Sequence, residues 1–89
     1  MLSTEARDDL IRRLRKIEGQ TQGIQRMLAD GRDCREVLDQ LASVRAATQS
    51  VIVTLMKHYA LSCLRDPSQN DSPERALGEV IDLLVRISE

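Results

Sequence analysis

The sequence predicts an all-α fold of three helices with unequal lengths, the second long enough to require another helix alongside it. Three observations carry that expectation. Apolar residues recur at alternating spacings of four and three, only four glycines and two prolines interrupt the chain, and Tyr59 is the single aromatic side chain. Aromatic rings supply much of the buried area in most globular cores. A chain of 89 residues with 42% hydrophobic side chains and one ring must instead pack Leu, Ile, Val and Ala between helices. The length permits one domain, residues 1–89, and a lone copy buries too little surface to be robustly stable.

The first helix is expected from about Thr4 to Ala29. Leu10, Leu14, Ile17, Thr21, Ile24 and Leu28 form its stripe, a pattern that suits a helix and not the period of two of a strand. Gly31 follows Asp30 and is expected to end the helix in the left-handed conformation. Gly19 and Gly23 interrupt the helix interior, each at about 1 kcal/mol relative to Ala. Either a tolerated bend or the close approach of a second helix backbone or of DNA accounts for them.

Asp33 and Glu36 have the spacing of a capping box at the start of the second helix, which runs to about Leu64 with no Gly or Pro. Leu38, Leu41, Val44, Arg45, Thr48, Val51, Ile52, Leu55 and Tyr59 mark its broad contact face. The Val51-Ile52-Val53 run favours strand, but helical flanks and the lack of a turn signal keep it helical. Residues 65–71 read as a linker. Ser72 is then placed to cap a third helix that begins at Pro73, with Ala76, Leu77, Val80, Leu83, Leu84 and Ile87 as its stripe. Folded alone, the long helix would leave much of its apolar face bare; two copies paired antiparallel would cover it.

The two cysteines fit that pairing. Cys34 and Cys63 are 29 residues apart, which on a straight helix places them on one side but roughly 43 Å apart. Antiparallel pairing about Thr48 and Gln49 brings Cys34 of one copy beside Cys63 of the other, twice per dimer. At the opening turn of its helix Cys34 gains from the dipole and free N–H groups, which favour a thiolate; Cys63, in the closing turn, does not. Such a pair suits sulfur chemistry between an attacking and a resolving thiol. It equally suits Cu(I), which prefers soft ligands. Both cysteines could also be small core residues. His58 lies about 120° off the cysteine face and is not expected to be a ligand, and a four-ligand Zn site lacks donors.

Charge is unevenly spread. The net charge is −1, yet Arg12, Arg13, Arg15 and Lys16 place four cations in five residues. Arg45 and Lys57 extend the set, whereas residues 65–89 carry three basic and six acidic groups. A basic stripe repeated by symmetry can track duplex phosphates. No helix-turn-helix, zinc finger or RNA-binding aromatic pair is present. DNA contacts would therefore rest on phosphates and groove shape. Enzyme chemistry is not expected, for want of paired carboxylates, a nucleophile with its base, or a phosphate loop. Neither a membrane span nor a signal peptide is apparent, so a cytoplasmic location is expected. Two thiols in such a chain do not make a disulfide scaffold.

The segments RLRKIEGQTQGIQRML, RDC at 32–34 and LDQLASVRAA at 38–47 resemble the copper-sensitive operon repressor family, which includes nickel/cobalt, formaldehyde and persulfide sensors. The resemblance covers roughly residues 5–64. It implies an antiparallel four-helix dimer core, a tetramer built as a dimer of dimers, and a repressor released from operator DNA by its effector. The family's sensing cysteine matches Cys34. Copper sensors resemble a pattern with histidine 25 residues later and cysteine 29 residues later; here these are Tyr59 and Cys63. Nickel/cobalt sensors differ at Leu2, Ser3 and Cys63, and the proline and histidine usual in formaldehyde sensors are absent. Asp33 stands where a tyrosine often precedes the sensing cysteine, and Glu79 falls where copper sensors carry an acid beside the metal site.

Two cysteines without the histidine look most like the persulfide-responsive members. The expected function is thus a repressor whose Cys34 thiolate attacks a persulfide or polysulfide sulfur and whose partner Cys63 resolves the product as a disulfide or short polysulfide bridge. Arg12, Arg13, Arg15, Lys16, Gln20 and Arg45 are the expected DNA contacts, and Tyr59 and Glu79 the groups flanking the thiols. No cofactor is obligatory. The alternative effector is Cu(I) on the same two thiolates; the alternative of another class is a helical interaction module that binds no DNA.

Overall fold

A computed structural model of the chain describes residues 2–65 and 73–88, apart from the side chains at 63–65, 73, 76 and 88. Three helices form, α1 (Thr4–Ala29), α2 (Cys34–Arg65) and α3 (Pro73–Ser88). The Val51-Ile52-Val53 run is helical within α2. The expected linker beyond Arg65 and the Ser72 cap lie outside the described residues.

Local chemistry explains the ends of α1. The Ser3 hydroxyl accepts from the Ala6 N–H at 3.1 Å, satisfying one of the free donors of the first turn. At the other end Gly31 adopts φ 69°. Its N–H donates to the Leu28 carbonyl at 3.2 Å, and the Arg32 N–H donates to the Met27 carbonyl at 2.9 Å. This is the Schellman arrangement, which closes the helix and turns the chain toward α2. The capping box expected at α2 does not form. The Glu36 carboxylate accepts instead from Arg32, at 3.0 Å from Nε and 2.6 Å from Nη2. A fork of two charge-assisted bonds outcompetes one bond to a backbone N–H.

The chain divides into two compact units, Ser3–Val53 and Thr54–Glu89 with residues 1–2. In the first, α1 and the opening part of α2 bury Leu10, Ile24, Val37 and Val51, each no more than 5% exposed. By area, each such burial contributes about 1.5–3 kcal/mol. The expected stripe on α1 splits lengthwise: Leu10 and Ile24 are buried and Ile17 and Thr21 half-buried, while Leu14 and Leu28 are 47% and 62% exposed. The face expected on α2 is turned inward only in part: Val44, Thr48, Val51 and Ile52 are buried or half-buried, whereas Leu38, Leu41, Arg45, Leu55 and Tyr59 are exposed. Val37, not Leu38, packs inward, and Leu38 is 63% exposed. One neighbouring helix covers only part of an apolar arc this wide, so Leu38 and Leu41 are left outward. Among the described residues, nothing beyond the chain neighbours and the helix's own adjoining backbone lies within 4 Å of a Cβ placed at Gly19 or Gly23, so no close approach of a described neighbour explains those glycines.

In the second unit, α3 carries Glu74 in its first turn and Arg86 in its last, charges that complement the helix dipole. Leu77, Ile81, Leu83, Leu84, Val85 and Ile87 are all exposed. The Tyr59 hydroxyl of α2 donates to the Glu79 carboxylate of α3 at 3.4 Å.

Candidate functional site

The basic residues of α1 separate into two sets once the helix is built. Arg13, Lys16 and Gln20 share one face by their spacing of three and four, and with Ile17 they line a groove against α2. Its other wall is Ser43, Ala47 and Ser50, and its volume is about 430 Å³. Small side chains at that spacing on α2 leave the space open. They were not singled out in the sequence, although the i, i+4, i+7 run of Ser, Ala and Ser is its only signal. Arg13 donates to the Ser50 hydroxyl at 3.5 Å and pairs with Asp9 at 3.1 Å. Arg12 also pairs with Asp9, at 2.6 Å. Arg12, Arg15 and Arg45 are exposed and line no part of this groove.

Gln20 lies between this groove and a second one of about 410 Å³, lined also by Gly23, Ile24, Arg26, Met27, Asp30, Arg32 and Gln40. The Gln20 side-chain oxygen is buried without a hydrogen-bond partner. Such an acceptor costs roughly 1–3 kcal/mol, so the amide is poised for any donor that reaches it. Arg26 and Arg32, absent from the expected contacts, extend positive charge along this second groove.

Cys34 is a free, exposed thiol at the first residue of α2. The Arg32–Glu36 pair flanks it on the preceding and following turns. Cys63 belongs to the last turns of the same unbroken helix; its side chain lies outside the described residues. His58 is half-buried, whereas Tyr59 is tied to Glu79. No group of three or more His, Cys, Asp or Glu side chains that could hold a metal occurs among the described residues. Among the described residues the four ligands of a resident Zn site are not brought together. Cysteine thiolates are soft ligands of the kind Cu(I) prefers.

The protomer is all-helical, with two grooves that basic side chains line and an exposed thiol at the start of α2. Residues 6–86 match the model of the metal-sensitive transcriptional repressors, and the chain belongs to that family. It is similar to the copper-sensing transcriptional repressor CsoR of Bacillus subtilis (strain 168), at 32% identity over 98% of this chain and 86% of that protein. The copper-sensing transcriptional repressor RicR of Mycobacterium tuberculosis is 36% identical over 68% of this chain and 64% of its own length. Among solved structures, the copper-sensing repressor CsoR with Cu(I) from Geobacillus thermodenitrificans NG80-2 superposes with TM-score 0.85. It is 29% identical, covering all of this chain and 93% of that one. The nickel-responsive transcriptional regulator InrS superposes with TM-score 0.73 at 30% identity, over 97% and 93%.

The protein is therefore a transcriptional repressor and not an enzyme. Its fold is the three-helix protomer with a long central helix that pairs into a four-helix-bundle dimer. Leu14, Leu28, Leu38 and Leu41 are left exposed in the single chain. No helix among the described residues is long and apolar enough to cross a membrane.

Proposed function

We propose that this chain represses transcription by binding operator DNA and is released when Cu(I) engages Cys34 of one protomer and Cys63 of its partner. The observation that carries the reading is a pair of cysteines 29 residues apart on one unbroken helix, in a chain of this family whose relatives are named copper-sensing. That similarity turns the preference from the sulfur effector, favoured by the sequence alone, to the metal. An antiparallel dimer provides two such thiolate pairs, and two dimers associate as a tetramer. When bound, Cu(I) supplies a short, rigid tie between the opening turn of one long helix and the closing turn of its mate. Arg13 and Lys16 hold phosphates at the groove, with Gln20 beside them, while Arg12, Arg15 and Arg45 add phosphate contacts outside it. Repression responds to the tie only because the tied and untied dimers differ in DNA affinity. The whole chain acts as one domain in the cytoplasm.

Tyr59 favours a second reading, since its hydroxyl is committed to Glu79 and it supplies no nitrogen ligand. In that reading the Cys34 thiolate attacks the terminal sulfur of a persulfide, RSSH, and RS⁻ leaves. The partner's Cys63 thiolate then attacks the Cys34 sulfur, HS⁻ leaves, and an inter-chain disulfide remains.

Gel-shift titration on DNA from upstream of the protein's own coding sequence tests both. Cu(I) buffered by a chelator is expected to release the DNA at low free concentration. Cys34→Ser and Cys63→Ser are each expected to keep DNA binding and lose release. Release by polysulfide, with an inter-chain link in the intact mass and no response to Cu(I), overturns the metal reading. Binding without sequence preference overturns the repressor assignment.

A further inference from the structure

We propose that the dimer holds DNA on two opposite sides, one segment at the basic groove of each protomer, so that a single assembly bridges two DNA segments. This rests on the reading above that the groove takes DNA phosphates and that two copies pair antiparallel; bridging goes beyond it. Within the unit Ser3–Val53, the seam between α1 and α2 follows two heptad lines. Leu10, Ile17 and Ile24 form one, and Val37, Val44 and Val51 the other, all buried or half-buried. At about 100° per residue, Arg13, Lys16 and Gln20 of α1 and Ser43, Ala47 and Ser50 of α2 fall about 40–120° to one side of those lines. Leu14, Cys34, Leu38 and Leu41, all exposed, fall about 60–120° to the other side. The hairpin therefore has a basic face and a thiol face. Both grooves share Gln20, and from Ser50 to Gln40 they extend about 15 Å along α2. That length matches about four base steps of a duplex.

Pairing assigns the two faces. Cys34 meets a thiol of the second copy, so the thiol face, with Leu14, Leu38 and Leu41, turns toward that copy. A two-fold axis between the two thiol faces turns one protomer over relative to its mate. The basic faces are then left on the outside, pointing away from each other across two helix layers, about 20 Å. One duplex cannot reach both. Even the curvature of nucleosomal DNA, about 45° per helical turn, needs about 40 bp to reverse direction, a path of about 140 Å. A half circuit around a body about 20 Å thick allows a duplex axis only about 60 Å. The second groove is therefore filled by a second segment, from another molecule or from a distant site on the same one.

The test uses the full chain and the upstream DNA in two forms, one fixed to beads and one carrying a fluorophore. With protein and sites matched, the beads are expected to retain the fluorescent duplex about tenfold above the level without protein. In about tenfold protein excess most of that capture is expected to vanish, because each duplex is then covered separately. Gel shift of the fluorescent duplex alone runs in parallel. Arg13→Ala and Lys16→Ala, made singly, are expected to weaken capture more steeply than shift, since bridging needs two grooves and a shift needs one. A fivefold weaker shift corresponds to about 25-fold weaker capture. The double variant is expected to lose both, with its helicity by circular dichroism retained; should it unfold, the single variants decide. A wild-type shift with no capture at any ratio overturns bridging and leaves the repressor reading standing. Capture that keeps rising in protein excess is aggregation and overturns it too. Capture that survives in the folded double variant, or that falls only in step with the shift in the single ones, removes the groove from the scheme. No shift of the upstream DNA sinks the repressor reading, and bridging with it.

Discussion

Gly31 has φ 69°, a conformation that places the Cβ of an L-residue too near its own carbonyl. Gly31→Ala is expected to lower stability by about 1 kcal/mol, read as a shift of the urea midpoint at constant slope. Ser3→Ala, which removes the cap on Ala6, is expected to lose a similar amount, about 1 kcal/mol, with fraying of the first turn seen by hydrogen exchange. In the proposed function Cys34 carries the weight at this scale. Its exposure leaves it open to a small alkylating reagent, and protein alkylated at Cys34 is expected to retain DNA and ignore Cu(I). DNA released by alkylation alone would mean that the thiol itself supports the DNA-bound form.

At the scale of helices, the split of each apolar face into an inner and an outer edge makes opposite substitutions diagnostic. Val37→Ala removes two buried methyl equivalents and is expected to destabilise the α1–α2 pair by about 2 kcal/mol. Leu38→Gln touches no protomer core, as Leu38 is 63% exposed. It is expected to leave dilute-solution helicity unchanged and to weaken self-association, measured by sedimentation over a dilution series. The hydrophobic rhythm showed that both residues belong to an apolar arc. It did not show which edge of the arc each helix would claim, because a hairpin and a dimer partner draw on the same pattern.

For the whole molecule, stability and assembly are linked. Among the described residues four buried apolar side chains make a thin core, and the thermal midpoint is expected to rise with protein concentration as dimers form. DNA affinity should fall steeply with salt. Arg13→Ala is expected to weaken binding across sequences and to reduce the salt slope by about 1. Arg15→Ala, outside the groove, tests whether phosphate contact extends beyond it, by the same slope. A slope unchanged in both variants would move the DNA surface elsewhere on the dimer.

The three helices, their bounds and the cysteine spacing were legible in the residues alone, because periodicity, glycine and proline are local signals. Asp33 and Glu36 show the limit of such reading. The box was written in the sequence, yet Arg32 captured the carboxylate because a charged fork lay within reach. The basic run looked like one stripe of Arg12, Arg13, Arg15 and Lys16; packing divided it, placing Arg13 and Lys16 at a groove with Gln20 and leaving the others outside. Ser43, Ala47 and Ser50 became a wall only when α1 lay across them. Tyr59 and Glu79, twenty residues apart, were brought to a hydrogen bond by tertiary structure. Sequence by itself determined which residues are helical and where the thiols stand along α2. Tertiary structure decided which side chains meet, since contact depends on how faces are shared among helices and not on the order of residues within one.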